Sequence, residues 1–357
     1  MNQDRIEMWE ALSQASLVQG PTPETNRLES PWYVKVLLAF SGWLAALFLL
    51  GFIAVGFQFI MKNSTVSIIT GGMMIGGAFA LLRAPKNEFF EHLSLATSLA
   101  GQALVIFGIF DIVKGNNDGM TWALISLLQI SLAILMPNFT HRVFSAFVAA
   151  LAFSMALTIM GVPYIVSGIV MLLAAWLWLN EFRYPLHMNK MRAIGYGLVL
   201  ALILIEGSVV FSTAPIGWRS AYPHHALWVQ PWMGDVLSGA VTLYVVWQLL
   251  QRWGHVISNR LSIMALLGTL LLCAVSMEAR GITVGIVVMI LGFAGSNRVL
   301  QGLGILSLLF YISSYYYLLD ATLLAKAQTL LAVGLILFIA RWLLLRMIPA
   351  SEAVKRV

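Results

Sequence analysis

Of the chain's 357 residues, 60% are hydrophobic and only 10% are charged, against roughly a quarter charged in a soluble domain. A water-soluble surface cannot be built from this composition. The formal charge of +6 comes from basic residues spread over short loops, the pattern of membrane topology and not of a nucleic-acid patch, so no nucleic-acid partner is expected.

The apolar residues come in blocks of about twenty, enough to cross roughly 30 Å of hydrocarbon. They lack the period-two alternation of a transmembrane β-barrel. The backbone must then satisfy itself within helices, and the expected fold is an all-α, polytopic bundle in a lipid bilayer.

In chain order, residues 4–18 place Ile6, Trp9, Leu12 and Leu17 at approximate helical spacing before Pro21-Thr22-Pro23 breaks the pattern. The spacing predicts a short amphipathic helix, lying on the membrane surface or against the bundle, followed by a linker. The first thirty residues carry Asp4, Glu7, Glu10, Glu24 and Glu29 and lack the basic start and apolar stretch of a secretory signal. The first span is therefore expected to be an uncleaved anchor.

Spans are expected near 34–60, 66–82, 93–112, 119–136, 142–160, 163–180, 191–211, 232–251, 259–276, 281–295, 299–317 and 321–345. The chain then divides into a cytoplasmic segment and linker (1–32), a transmembrane domain (33–347) and a short cytoplasmic tail (348–357).

Basic residues set the orientation. With the N-terminus inside, the inner loops and termini hold Arg5, Arg27, Lys35, Arg83, Lys86, Arg142, Arg183, Lys190, Arg192, Arg252, Arg260, Arg298, Arg341, Arg346, Lys355 and Arg356, which is 16 of the 21 Lys and Arg. The outer side receives Lys62, Lys114, Arg219, Arg280 and Lys326, which is 5 of the 21. This asymmetry supports an even number of spans and places both termini in the cytoplasm.

Internal similarity is weaker. The fourth and tenth spans both end in tight loops with a basic-valine pair, Asn138-Phe139-Thr140-His141-Arg142-Val143 and Ser296-Asn297-Arg298-Val299. Leu93-Ser94-Leu95-Ala96-Thr97 and Leu261-Ser262-Ile263-Met264-Ala265 open the third and ninth. An offset of six spans would mean two parallel six-helix halves, as in some transporters.

Ionisable groups within spans cost roughly 2.5–3.5 kcal/mol at a helix centre, so each one raises a functional hypothesis. Glu206, well inside the seventh span, reads either as a proton or cation site or as an interfacial carboxylate bonded to a neighbour such as Ser208. Glu278 and Arg280 read as an ion pair at an outer turn. Asp320 and Lys326 flank the last span on the same side, and Lys326 can snorkel outward or pair with an acid. Together Glu206, Glu278, Arg280, Asp320 and Lys326 form the candidate site, near the outer leaflet.

The outer loop 212–230 adds weaker candidates, Arg219, His224 and His225, with Asp235 opening the next span. Two adjacent histidines are a poor match to zinc-ligand spacing, and an aromatic belt explains the loop more simply. Tyr315-Tyr316-Tyr317 reads the same way, and Gly71-Gly72-Met73-Met74-Ile75-Gly76-Gly77 as a close-packing stretch. The single Cys273 permits no intramolecular disulfide and reads as a small core residue.

No phosphate loop, His-Glu-Xaa-Xaa-His or Gly-Xaa-Ser-Xaa-Gly motif occurs in the sequence, so no metal, cofactor or ATP-driven step is expected of this chain. Membrane glycosyltransferases of the polyprenyl-sugar type carry acidic residues in the first outer loop, where this chain has Met61-Lys62-Asn63-Ser64.

Several runs carry a family resemblance. They are Pro31-Trp32-Tyr33 and Gly42-Trp43-Leu44-Ala45-Ala46, then Asn297-Arg298-Val299-Leu300-Gln301-Gly302-Leu303-Gly304, Tyr315-Tyr316-Tyr317-Leu318-Leu319-Asp320-Ala321-Thr322-Leu323-Leu324-Ala325-Lys326 and Arg341-Trp342-Leu343-Leu344. Over nearly the whole chain this resembles an uncharacterised bacterial inner-membrane family, the domain of unknown function 4401.

The resemblance implies a multi-spanning inner-membrane protein. It also implies a gene neighbour, a smaller membrane-anchored protein named for its GDYXXLXY motif, and hence a two-component complex. Asp320, Thr322 and Lys326 match the family's recurring pattern, but the resemblance carries no substrate or catalytic residue.

The leading expectation is a non-enzymatic component of a membrane complex. A secondary transporter or channel using the outer charged cluster is the alternative. An intramembrane enzyme acting on a lipid-linked substrate, through His224, His225 and nearby carboxylates, is the third.

Overall fold

The computed structural model describes residues 63–83, 88–113, 118–212, 230–253, 260–276, 281–318 and 322–347, with 13–15 and the single positions Ser41, Leu44, Phe48 and Gly51. Among these residues every regular element is a helix, and no strand occurs.

The helices are α1 (Ser64–Arg83), α2 (Glu88–Val113), α3 (Asp118–Leu135), α4 (Phe139–Ile159), α5 (Ile165–Asn180), α6 (Met188–Ser212), α7 (Pro231–Arg252), α8 (Arg260–Ser276), α9 (Ile282–Ala294), α10 (Arg298–Leu318) and α11 (Leu323–Met347). Two 3-10 turns, Glu181–Arg183 and Pro185–His187, join α5 to α6.

Expected spans two to twelve each coincide with one of these helices. The first expected span is described only at Ser41, Leu44, Phe48 and Gly51, all helical and all exposed. In the N-terminal segment Ser13 and Gln14 are helical and exposed, while the linker and the tail 348–357 lie outside the described residues. Among the described residues, seven helices, α1 to α7, are long and apolar enough to cross a membrane, α5 together with the 3-10 turn that follows it, and α8, α9 and α10 contribute shorter apolar stretches.

Asparagines start three of the helices. The side-chain oxygen of Asn63 accepts from the Thr65 and Val66 amides, that of Asn138 from the His141 amide at 2.9 Å, and that of Asn297 from the Val299 and Leu300 amides, both at 3.1 Å. Each satisfies N–H groups that the first turn leaves without partners. Pro231 at the first turn of α7 serves the same end by removing a donor.

Sequential helices form hairpins, α1 with α2, α3 with α4, and α9 with α10. The first closes at a glycine crossing, where a Cβ on Gly71 would sit 2.5 Å from the Gly101 carbonyl oxygen. The sequence suggested close packing along the whole run from Gly71 to Gly77. Instead only Gly71 lies in the crossing, and a Cβ on Gly72, Gly76 or Gly77 would meet nothing within 4 Å. A helix turns one face to its neighbour, and these three lie off that face.

Helices α4 and α6 run in the same direction and touch closely, since a Cβ on Gly197 would lie 2.4 Å from the Val143 carbonyl oxygen. At the centre is α5, whose Val166, Val170, Met171, Ala174, Ala175 and Trp178 are all buried. They pack against Val199 and Leu202 of α6, Val241 and Val245 of α7, and Val284, Val287 and Leu291 of α9.

Polar contacts fix which helix ends share a face. Ser64 donates to Asp111, joining the start of α1 to the end of α2. Asn138 donates to Glu91, so the α3–α4 turn lies beside the start of α2. The α5–α6 turn follows one further down-and-back pass and returns to that second face.

Candidate functional site

Among the described residues, buried polar side chains bond to one another across helices in two clusters. The first lies between α2, α3 and α4, where Ser98, Gln102, Gln129, His141 and Ser145 are at most 2% exposed. Ser98 and Gln102 are four residues apart on α2, as are His141 and Ser145 on α4, so each pair shares a helical face.

Gln129 Nε2 donates to Gln102 Oε1 at 2.8 Å. Gln102 Nε2 and Ser98 Oγ then lie 3.1 and 2.8 Å from His141 Nε2. With Gln102 presenting its amide N–H, His141 Nε2 is the acceptor, and Nδ1 carries the proton toward Ser145 Oγ at 3.2 Å. The bonds run one way from Gln129 on α3 through α2 to Ser145 on α4, and at their origin Gln129 Oε1 is a buried acceptor with no partner.

The second cluster lies at the α5–α6 turn. Glu181 is 1% exposed, and its Oε2 pairs with Arg192 Nε at 3.0 Å. Its Oε1 has no partner and points toward Gly295 at the end of α9. Arg252, at the end of α7, donates to the Leu179 carbonyl near the end of α5. Tyr196 and Asn297 bond through the phenol and the amide at 2.9 and 2.7 Å, joining α6 to the α9–α10 turn.

The carbonyls in the last turns of α5 and α9 have no partner within their own helices and need donors here.

A large groove opens between α4, α6 and α10, with a volume of about 980 Å³. Phe144, Phe147, Leu200, Leu204 and Phe310 line it, with Thr140 and Ser208 as its hydroxyl-bearing residues.

Of the expected site residues, Glu206 is 7% exposed. Tyr311 donates to the Ile203 carbonyl at 3.0 Å. The hydroxyl of Ser208, the neighbour suggested for Glu206, is directed to the Ile205 carbonyl at 2.6 Å, as hydroxyls commonly are within helices. Asp235 is half-buried at the start of α7 and has an interacting partner.

Glu278, Arg280, Asp320, Arg219, His224 and His225 lie outside the described residues, as do the side chains of Lys326 and Tyr315-Tyr316-Tyr317. Thr322 is described, and its hydroxyl accepts from the Ala325 amide at 3.3 Å. Cys273 is half-buried on α8. Among the described residues no group of three or more His, Cys, Asp or Glu could hold a metal ion.

Sequence reasoning missed the network around His141 and the burial of Glu181. The first had a readable signal, because Ser94, Ser98 and Gln102 recur every fourth residue inside an apolar span. The second had none, since Glu181 follows a span and reads as a loop carboxylate.

The family model described as Domain of unknown function (DUF4401) matches residues 31–347. The chain belongs to this family. No curated protein and no solved structure matches it. The match extends from before the first expected span to the end of α11, and so takes in both buried clusters and the groove. It begins after the acidic N-terminal segment and stops short of the tail.

Proposed function

We propose that this DUF4401 chain is an integral protein of the bacterial cytoplasmic membrane, with twelve spans and both termini inside. In this reading it serves as a non-enzymatic component of a membrane complex, and the groove between α4, α6 and α10 receives a transmembrane helix of the partner. Seven long apolar helices and the 16-to-5 distribution of basic residues support the membrane reading.

The groove is the observation that carries the complex. Phe144, Leu200, Leu204 and Phe310 are between 37% and 52% exposed along it, and helices associate in lipid by filling such shapes with side chains. The partner proposed is the smaller membrane-anchored protein of the GDYXXLXY type.

The test is affinity purification of the tagged protein from native membranes in mild detergent, with mass spectrometry of stoichiometric companions. Leu204→Trp and Phe144→Trp each fill the groove and are expected to lower partner recovery at least tenfold while the chain still purifies monodisperse. Purification of the unaltered chain alone would overturn the reading.

A transporter or channel is the second reading, favoured by one observation, the burial of Glu206. Its site would join Glu206 to Glu278, Arg280, Asp320 and Lys326. Glu206→Gln and Lys326→Met would then each abolish ion or solute flux in reconstituted vesicles, with the fold unchanged.

A further inference from the structure

Arg142 departs from the other cations of the bundle. Arg83, Arg183, Lys190, Arg252, Arg298 and Arg341 are exposed and Arg192 is half-buried, as expected of long side chains that carry their charge to the helix ends. Arg142 is only 7% exposed. Its Nε is buried with no hydrogen-bond partner, and no carboxylate among the described residues forms an ion pair with it.

A guanidinium taken out of water calls for an anion, and charged groups in spanning helices almost always have a partner. The carboxylate at this end of α4 belongs to Glu91, and it accepts from the Asn138 amide instead. The partner of Arg142 must therefore come from elsewhere.

The helix itself adds positive potential at the same place. Arg142 stands four residues after Asn138, the N-cap of α4. Helical side chains lean back toward the N-terminus, so its guanidinium lies over the first turn. Asn138 Oδ1 takes the His141 amide and leaves those of Phe139 and Thr140 directed out of the helix start, where the helix dipole is positive. A phosphate, with several acceptor oxygens, suits both the amides and the guanidinium. The α4 residues that line the groove, Thr140, Val143, Phe144 and Phe147, project to the other side of the helix at about 100° per residue. A helix seated in the groove does not supply the anion.

We propose that Arg142 and the first turn of α4 hold a phosphate group, carried by a phospholipid headgroup or by a free phosphate compound of the adjoining aqueous phase. Its oxygens accept from the guanidinium and from the Phe139 and Thr140 amides.

The test uses the full-length protein in mild detergent, stripped of bound lipid, with native mass spectrometry to read what it retains. Phosphatidylglycerol, inorganic phosphate and, as a phosphate-free control, diacylglycerol are added separately. Retention of phosphatidylglycerol or inorganic phosphate is expected, and of diacylglycerol is not. Displacement of the lipid by inorganic phosphate marks a site for free phosphate, and its failure to displace marks a headgroup site. Arg142→Gln should weaken the binding at least about tenfold, the loss of a charge-assisted contact. Arg183→Gln, at an exposed arginine of the same face, should change it less than about twofold. Glu91→Gln removes the neighbouring carboxylate and should tighten it about threefold.

Thermal unfolding gives a second reading. Arg142→Gln deletes an unpaired buried charge, so without added phosphate it should melt no lower than the unaltered protein, and the retained probe should stabilise only the latter. Retention of diacylglycerol as strongly as phosphatidylglycerol, retention of neither phosphate probe, or equal affinity in the Arg142→Gln and unaltered chains would overturn the proposal. Should Arg142→Gln not fold, the Glu91→Gln affinity decides, and an unchanged value overturns it.

Discussion

Individual residues in this protein matter most where polar groups are enclosed. Glu181 and Arg192 are an asymmetric pair, one 1% exposed and the other 33%. Removing Arg192 strands a buried carboxylate, whereas Glu181→Gln keeps the shape and deletes the charge. Arg192→Ala is therefore expected to cost about 2 kcal/mol, below the full range for a buried pair because solvent reaches the guanidinium. Glu181→Gln should cost less, and the order of the two in detergent thermal unfolding checks the assignment. Gly281 is constrained differently, by a φ of +89° and by the Tyr311 ring 2.5 Å from where a Cβ would stand. Gly281→Ala combines left-handed strain with a ring overlap and should cost about 2–4 kcal/mol in the same assay. The reach of sequence reasoning also shows at this scale. Glu206 stood out because one carboxylate in an apolar run is visible in a string of letters. Glu181 did not, because it meets Arg192 and the α9 end, which the chain brings together from far apart.

At the level of helices and turns, small residues and asparagine caps set the geometry. Gly71 and Gly72 are neighbours in sequence with opposite expected tolerance. Gly71→Leu would drive a side chain into the Gly101 backbone and should separate α1 from α2, whereas Gly72→Leu meets nothing within 4 Å. Disulfide trapping between Ser64→Cys and Asp111→Cys, in a Cys273→Ala background, is expected to fall several-fold with the first change and to persist with the second. The turns before α4 and α10 repeat one device, an asparagine whose side chain caps the amide three residues on. Asn138→Ala and Asn297→Ala should each cost about 1 kcal/mol, and Asn297→Ala more because its bond to Tyr196 is lost as well. The likeness of these turns was legible as the matched segments around Arg142 and Arg298, and both carry the asparagine cap.

For the whole molecule, charge and length combine to predict a topology. If both termini and the α5–α6 turn lie inside, the His187→Cys thiol should react with a membrane-impermeant maleimide in inverted vesicles and resist it in intact cells, while Met160→Cys should show the reverse. The sequence by itself determined the class of molecule, because hydrocarbon length and the scarcity of charge leave few alternatives to apolar helices. It also located the helices of α1 to α11, since the break between two apolar blocks is written in local Gly, Pro, Asn and charged residues. What only the tertiary structure decided is which polar residues meet. Contacts between Gln129, Gln102 and His141, or between Glu181 and the end of α9, depend on the azimuth and depth at which separate helices pack. In uniformly apolar helices those are set by small-residue crossings such as Gly71 on Gly101 and Gly197 on Val143, because no contrast between an apolar and a polar face exists to orient them.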